Sequence, residues 1–255
     1  MRPLLASEWT KLRSVRSTYW SLLAAAVLAI AIGLLVCHAM ASHWPRMTPV
    51  ERAHTDLVSD NLAGFAFAQL AVGVLGVLVA GSEYSTGLIR LTFGAVPRRR
   101  AVLAAKAAVV GPLTLLVGVS VAAVTFSGGQ AFLAGRHLGR SLFDPTSLRV
   151  VTGIGFYTAC VALFGLGLGF LIRHTAGAIT VLVAVVFLAP QLVRALPDPW
   201  GVRLGRLMFQ NAATELVSVR HDDYHLAPVA AFALAAVWAA TALVAAAVTL
   251  ERRDA

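Results

Sequence analysis

Charge is scarce in this chain. Only 13% of its 255 residues are Asp, Glu, Lys or Arg, against 58% hydrophobic residues. A water-soluble domain of this length needs far more polar surface, so the composition excludes that class. Lysine occurs only as Lys11 and Lys106, and neither follows a glycine. A phosphate-cradling loop, Gly-x-x-x-x-Gly-Lys-Ser/Thr, is therefore absent, and no bound nucleotide or other cofactor is expected on this chain. There are two cysteines, Cys37 and Cys160, each inside an apolar stretch. They make neither a disulfide framework nor a metal site and read as small packing residues. No His-Glu-x-x-His is present, the five glutamates stand apart, and no apolar run after Ser120 contains a histidine. These absences argue against an intramembrane protease of the metal or serine type, and no catalytic residue or metal ligand is expected.

What the chain has in abundance is long apolar sequence. Six runs, at about 19–40, 62–82, 107–133, 150–172, 176–193 and 227–250, are each long enough to cross the membrane core as a helix. The reading is an all-α polytopic membrane protein, one transmembrane domain over 1–255. The third run is long enough to tilt or to break near Gly128 and Gly129. No Asp, Glu, Lys or Arg lies within the runs; Gln69, Gln130, Gln191 and His38 are what they offer instead. Ion-coupled transport normally keeps a buried charge, so these four read as helix-packing groups. The net charge of +9 lies between the runs, where it sets topology and meets anionic lipid, and nucleic acid is not expected as a partner. Segments 1–18, 83–106, 173–175 and 251–255 hold 12 basic residues, the opposite set 9. The positive-inside tendency then places both termini in the cytoplasm.

Residues 1–18 read as a cytoplasmic amphipathic helix on the membrane surface. Leu5, Trp9 and Leu12 fall at i, i+4 and i+7, with Glu8, Lys11, Arg13 and Arg16 mostly elsewhere around it. A solvated basic tail is the alternative, and Ala39-Met40-Ala41 gives the first run some likeness to a signal peptide. Between the fifth and sixth runs, Leu196-Pro197-Asp198-Pro199-Trp200-Gly201 opens a polar segment with Val202, Leu207, Met208, Leu216 and Val219 at irregular helical spacing. It reads either as lying on the outer leaflet or as an exposed loop with one short helix. His221 and His225, four apart, have metal-ligand spacing but precede Pro228 in a polar loop.

Phe126-Ser127-Gly128-Gly129-Gln130 nearly spells the signature of ATP-binding-cassette ATPases, yet no phosphate loop accompanies it. Two other stretches carry more. Ser7-Glu8-Trp9-Thr10-Lys11-Leu12-Arg13 precedes the first run, and Glu83-Tyr84-Ser85-Thr86-Gly87-Leu88-Ile89-Arg90 follows the second, continuing to Pro97-Arg98-Arg99-Arg100 and Lys106. With six spans, these resemble the membrane subunits of ABC transporters of the type-2 exporter family, in the form common in actinobacteria. The resemblance extends over the whole layout but is specific only in these stretches.

It implies a permease half of the cell membrane, paired with a second half, identical or related, and with two copies of an ABC ATPase subunit that carry the ATP and magnesium. It also implies that 83–106 is the element coupling the permease to that ATPase. Glu83 and Arg90 would make polar contacts at a hinge, Gly87 a close turn, and Tyr84 and Pro97 complete the family pattern. Arg98, Arg99 and Arg100 would meet the ATPase or anionic headgroups. The bland alternatives are a topology anchor for the three arginines and a solvated helix end for Glu83. Gly165 with Gly169, and Gly73 with Gly76, suit close helix contact either within the chain or between halves. A pathway without buried charge suits amphiphilic cargo. Two other functions fit six spans: an ATPase-associated sensor, and an ATP-independent channel or scaffold.

Overall fold

A computed structural model describes residues 2–14, 16–96, 98–135, 138–218 and 227–252, the side chains of 16–18, 21, 53 and 54 apart. Among the described residues there is helix and no strand. Six helices are long and apolar enough to span a membrane, with mean hydropathy from 1.9 to 2.6. The chain is thus a multi-pass membrane protein.

A short helix α1 (Arg2–Ser14) leads into the first span, α2 (Arg16–His43). Two small helices follow, α3 (Pro49–His54) and α4 (Leu57–Asn61), and then the second span, α5 (Phe65–Ser85). After α6 (Leu88–Ala95) comes the third span, α7 (Arg99–Ala134), and the fourth span is α8 (Pro145–Ile172). The fifth runs through α9 (Thr175–Val183), a π-turn at Ala184–Leu188 and α10 (Ala189–Arg194). Helices α11 (Trp200–Leu207) and α12 (Phe209–Val217) precede the last span, α13 (Pro228–Arg252).

The bundle is organised around α8. It is 83% buried, whereas the first and fifth spans are 22% buried. Glycines on three sides of α8 let neighbours approach to main-chain contact, the device that replaces the hydrophobic effect between helices in lipid. A Cβ on Gly165 would strike the carbonyl oxygen of Gly73, and one on Gly76 that of Ala162, so α5 and α8 touch backbone to backbone. Gly155 meets α7 at Val119, and a Cβ on Gly167 would come within 2.7 Å of Ala242 on α13. The glycine pairs anticipated from sequence thus act inside one chain.

Helix α7 corrects two boundaries. It runs unbroken through Gly128 and Gly129, because those glycines admit neighbours: a Cβ on Gly129 would overlap the Asn61 amide, and one on Gly128 would lie 2.7 Å from Leu34. It also begins at Arg99, so its 36 residues extend about 54 Å, well beyond a hydrocarbon core of about 30 Å. The basic segment 83–106 is accordingly no single loop. Its start belongs to α5 and its last eight residues to α7.

The segment before α13 contains two described helices, not one. Phe209 opens α12 from a fully buried position, stacked on Trp238 (6.0 Å) and against Tyr157 (5.2 Å) and Phe164 (5.5 Å). The Trp238 indole N–H donates to the Leu207 carbonyl at 2.9 Å. Aromatic burial of this kind seats α12 between α8 and α13. The Cys37 and Cys160 thiols are free and buried.

Candidate functional site

Both lysines of the chain stand in one cluster at the end of the bundle that holds the N-terminus. Lys106 lies two turns into α7, Glu83 in the last turn of α5, and Glu8 and Lys11 are three apart on one face of α1. Lys106 Nζ donates to Glu8 Oε2 at 2.6 Å and to Glu83 Oε1 at 2.7 Å. Lys11 Nζ donates to Glu8 Oε1 at 2.8 Å and to the same Glu83 oxygen at 2.9 Å. Two cations and two anions close a neutral square joining three helices. The Lys106 side chain is 1% exposed, Glu8 3% and Glu83 8%, with Lys11 at the open edge at 44%.

Such a square is costly to desolvate and holds only as a unit. Burial pulls the Lys11 ammonium down, but its hydrogen bonds to Glu8 and Glu83 together outweigh this and hold its pKa above the ordinary value. A raised lysine pKa contributes stability at every pH below the unfolded value, and the contribution disappears as pH climbs through the raised one. Across the neutral range the pairing is therefore intact. The second oxygen of Glu83, Oε2, is buried and has no hydrogen-bond partner in the protein. The Glu83 carboxylate thus faces the bundle, and it is not a solvated helix end.

The remaining sequence candidates divide around the square. On α1, Leu12 is buried beside Glu8, while Trp9 (48% exposed), Lys11 and Arg13 face outward; the side chain of Arg16 lies outside the described residues. The inward face of α1 is therefore Glu8 and Leu12, and the apolar set Leu5, Trp9 and Leu12 does not share one environment. Tyr84 packs edge-on against Phe170 at 6.0 Å, with the Arg173 guanidinium 5.6 Å above its ring. Arg99 donates to the Leu250 carbonyl at 3.1 Å and lies 5.5 Å over Phe93; Arg100 pairs with Glu251. A cation at the C-terminal end of α13 meets the negative end of that helix. The Arg100–Glu251 pair is half exposed and contributes at most about 1 kcal/mol. Arg98 and Arg90 are exposed, and Pro97 lies outside the described residues, as do His221 and His225.

Between α5 and α7 the chain turns at Gly87, whose φ of 74° is left-handed, and then forms α6. Ile89 anchors α6 to Ala80, Leu166 and Phe170, while Leu88 (51% exposed) and Leu91 (72% exposed) point away from the bundle. A Cβ at Gly87 or Gly94 would meet nothing within 4 Å, so only backbone conformation separates the two positions. Gly87→Ala is expected to cost about 1 kcal/mol through the positive φ. Gly94→Ala, inside the helix, should leave stability unchanged or slightly raised. Thermal unfolding of both variants in detergent checks the contrast.

Of the polar residues of the spans, Gln69 and Gln130 are buried in the bundle and His38 and Gln191 are exposed. The Tyr157 hydroxyl donates to Gln69 Oε1 at 2.8 Å, Gln130 Oε1 accepts from the Arg140 amide at 2.8 Å, and His38 meets Phe132 edge-on at 5.5 Å. Sequence reasoning placed Glu83 in a contact segment and left Lys106 at its margin. The missed signal was Lys106 itself, a lone cation flanked by two alanines on each side, which only a buried partner explains. Comparison of the sequence with protein-family models and with curated proteins gives no match.

Proposed function

We propose that this chain is the membrane-spanning subunit of an ATP-driven exporter of the ABC type, resident in the cell membrane with both termini in the cytoplasm. It forms half of a translocation pathway with a second, identical or related half, and a separate ATPase subunit, present in two copies, carries ATP and magnesium. The observation that supports this reading is α6. It projects two uncovered leucines and Arg90 from the end of the bundle where the basic segments gather, a place where a soluble partner offers better cover than water. Both lysines are committed to the ion square, which fits a chain whose driving force comes from another protein. The square has a defined place in this scheme: it fastens α1 to the roots of α5 and α7, so a push on α6 is carried into both spans and the N-terminal helix together.

The test uses the outward residues of α6 and spares the square. Tagged wild type and a Leu88→Asp, Leu91→Asp double variant are recovered from native membranes in mild detergent, and the eluates are assayed for ATP hydrolysis. An ATPase that copurifies with wild type and is lost from the equally monodisperse variant is the expected result. No ATPase with intact wild type would overturn the exporter reading in favour of a channel or scaffold.

A further inference from the structure

At the end of the bundle opposite the ion square, a cavity of about 160 Å³ lies between the start of α5, the middle of α8 and α12. Its polar lining includes Ser59, Gln69, Tyr157, Thr158, Gln210 and Thr214, and none of the described residues lining it is Asp, Glu, Lys, Arg or His. Three of its four hydroxyls, all but that of Ser59, are already committed. Tyr157 donates to Gln69, Thr158 to the Ile154 carbonyl at 2.7 Å, and Thr214 to the Gln210 carbonyl at 3.4 Å. The buried group left without a partner in this lining is an acceptor: Gln210 Oε1 has no hydrogen-bond partner in the protein. A buried acceptor left unsatisfied costs about 1–3 kcal/mol, so the cavity favours an occupant that donates to it.

The chemistry of the walls selects that occupant. A cation would lose its hydration without finding a carboxylate among the described lining residues, and an anion would find uncharged donors there but no cation. The volume corresponds to about five waters at roughly 30 Å³ each, enough for a short carbon chain, and Leu62, Phe65 and Ile154 supply apolar wall. We propose that this cavity is a binding site for an uncharged amphiphile carrying a hydroxyl or amide N–H, which donates to Gln210 Oε1 while its carbon body lies against Phe65 and Ile154. The site belongs to this chain alone, so it stands or falls independently of any ATPase.

The test is photolabelling of the purified chain in phosphatidylcholine nanodiscs with a diazirine-bearing hexanol, with adducts mapped by mass spectrometry. Adducts on the α5, α8 and α12 walls are expected, displaced by hexanol but not by equal concentrations of hexylammonium or hexanoate. Gln210→Leu keeps the bulk and removes the acceptor, and should reduce this labelling roughly fivefold to tenfold. Ala213→Phe, which fills the cavity, should abolish it; if that variant does not fold, Gln210→Leu decides. Adducts confined to lipid-facing residues, or labelling unchanged by Gln210→Leu, would overturn the proposal and leave a water-filled pocket.

Discussion

Lys106→Met is expected to destabilise the protein by about 3–5 kcal/mol. The substitution preserves length and removes the charge, leaving Glu8 and Glu83 facing each other in a site where neither reaches water. Lys11 remains, but it sits at the open edge and must then serve two carboxylates alone. The check is thermal unfolding in detergent, read beside a triple variant, Lys106→Met with Glu8→Gln and Glu83→Gln. Because the penalty comes from unpaired buried charge and not from lost bulk, the triple variant should recover a good part of the stability. A single variant as stable as wild type would show that the square does not exist in the folded protein.

Gly165→Val should cost about 3 kcal/mol or more, and Gly76→Val a similar amount, by prying α5 from α8. At each position the new side chain meets a main-chain carbonyl, of Gly73 or of Ala162, which cannot rotate aside as a side chain can. The defect falls on the most buried span, so a general loss of packing is expected. Loss of the monodisperse peak in size-exclusion chromatography, with a lower unfolding temperature, is the measurement. Gly94→Val serves as the control, since nothing lies near its Cβ and α6 is outside the bundle core. Equal behaviour of Gly165→Val and Gly94→Val would refute the backbone contact.

The six spans were legible in sequence because hydropathy over 18 or more residues leaves few alternatives. Their ends were less so. Helix α7 reaches back to Arg99 through Arg100 and Lys106, residues that hydropathy assigns to water: the Lys106 charge is met by Glu8 and Glu83 rather than by solvent, and the exposed Arg100 pairs with Glu251. The elements of the square were visible one at a time: Glu8 and Lys11 three apart, Glu83 at a span end, Lys106 among alanines. Their meeting was not, since it depends on a fold that brings together positions 98 and 72 residues apart. The same limit hid α12. Its anchor, Phe209, finds Tyr157, Phe164 and Trp238 on two other helices, and no local periodicity records that.

The square also imposes an order on biogenesis. Helix α1 leaves the ribosome before α5 and α7, and the carboxylate and ammonium that complete its seat belong to residues made much later, Glu83 and Lys106. Until the third span is delivered to the bilayer, Glu8 and Lys11 have only each other and water. Docking of the N-terminal helix is thus a late event in assembly, and a chain interrupted before its third span leaves that helix unfastened.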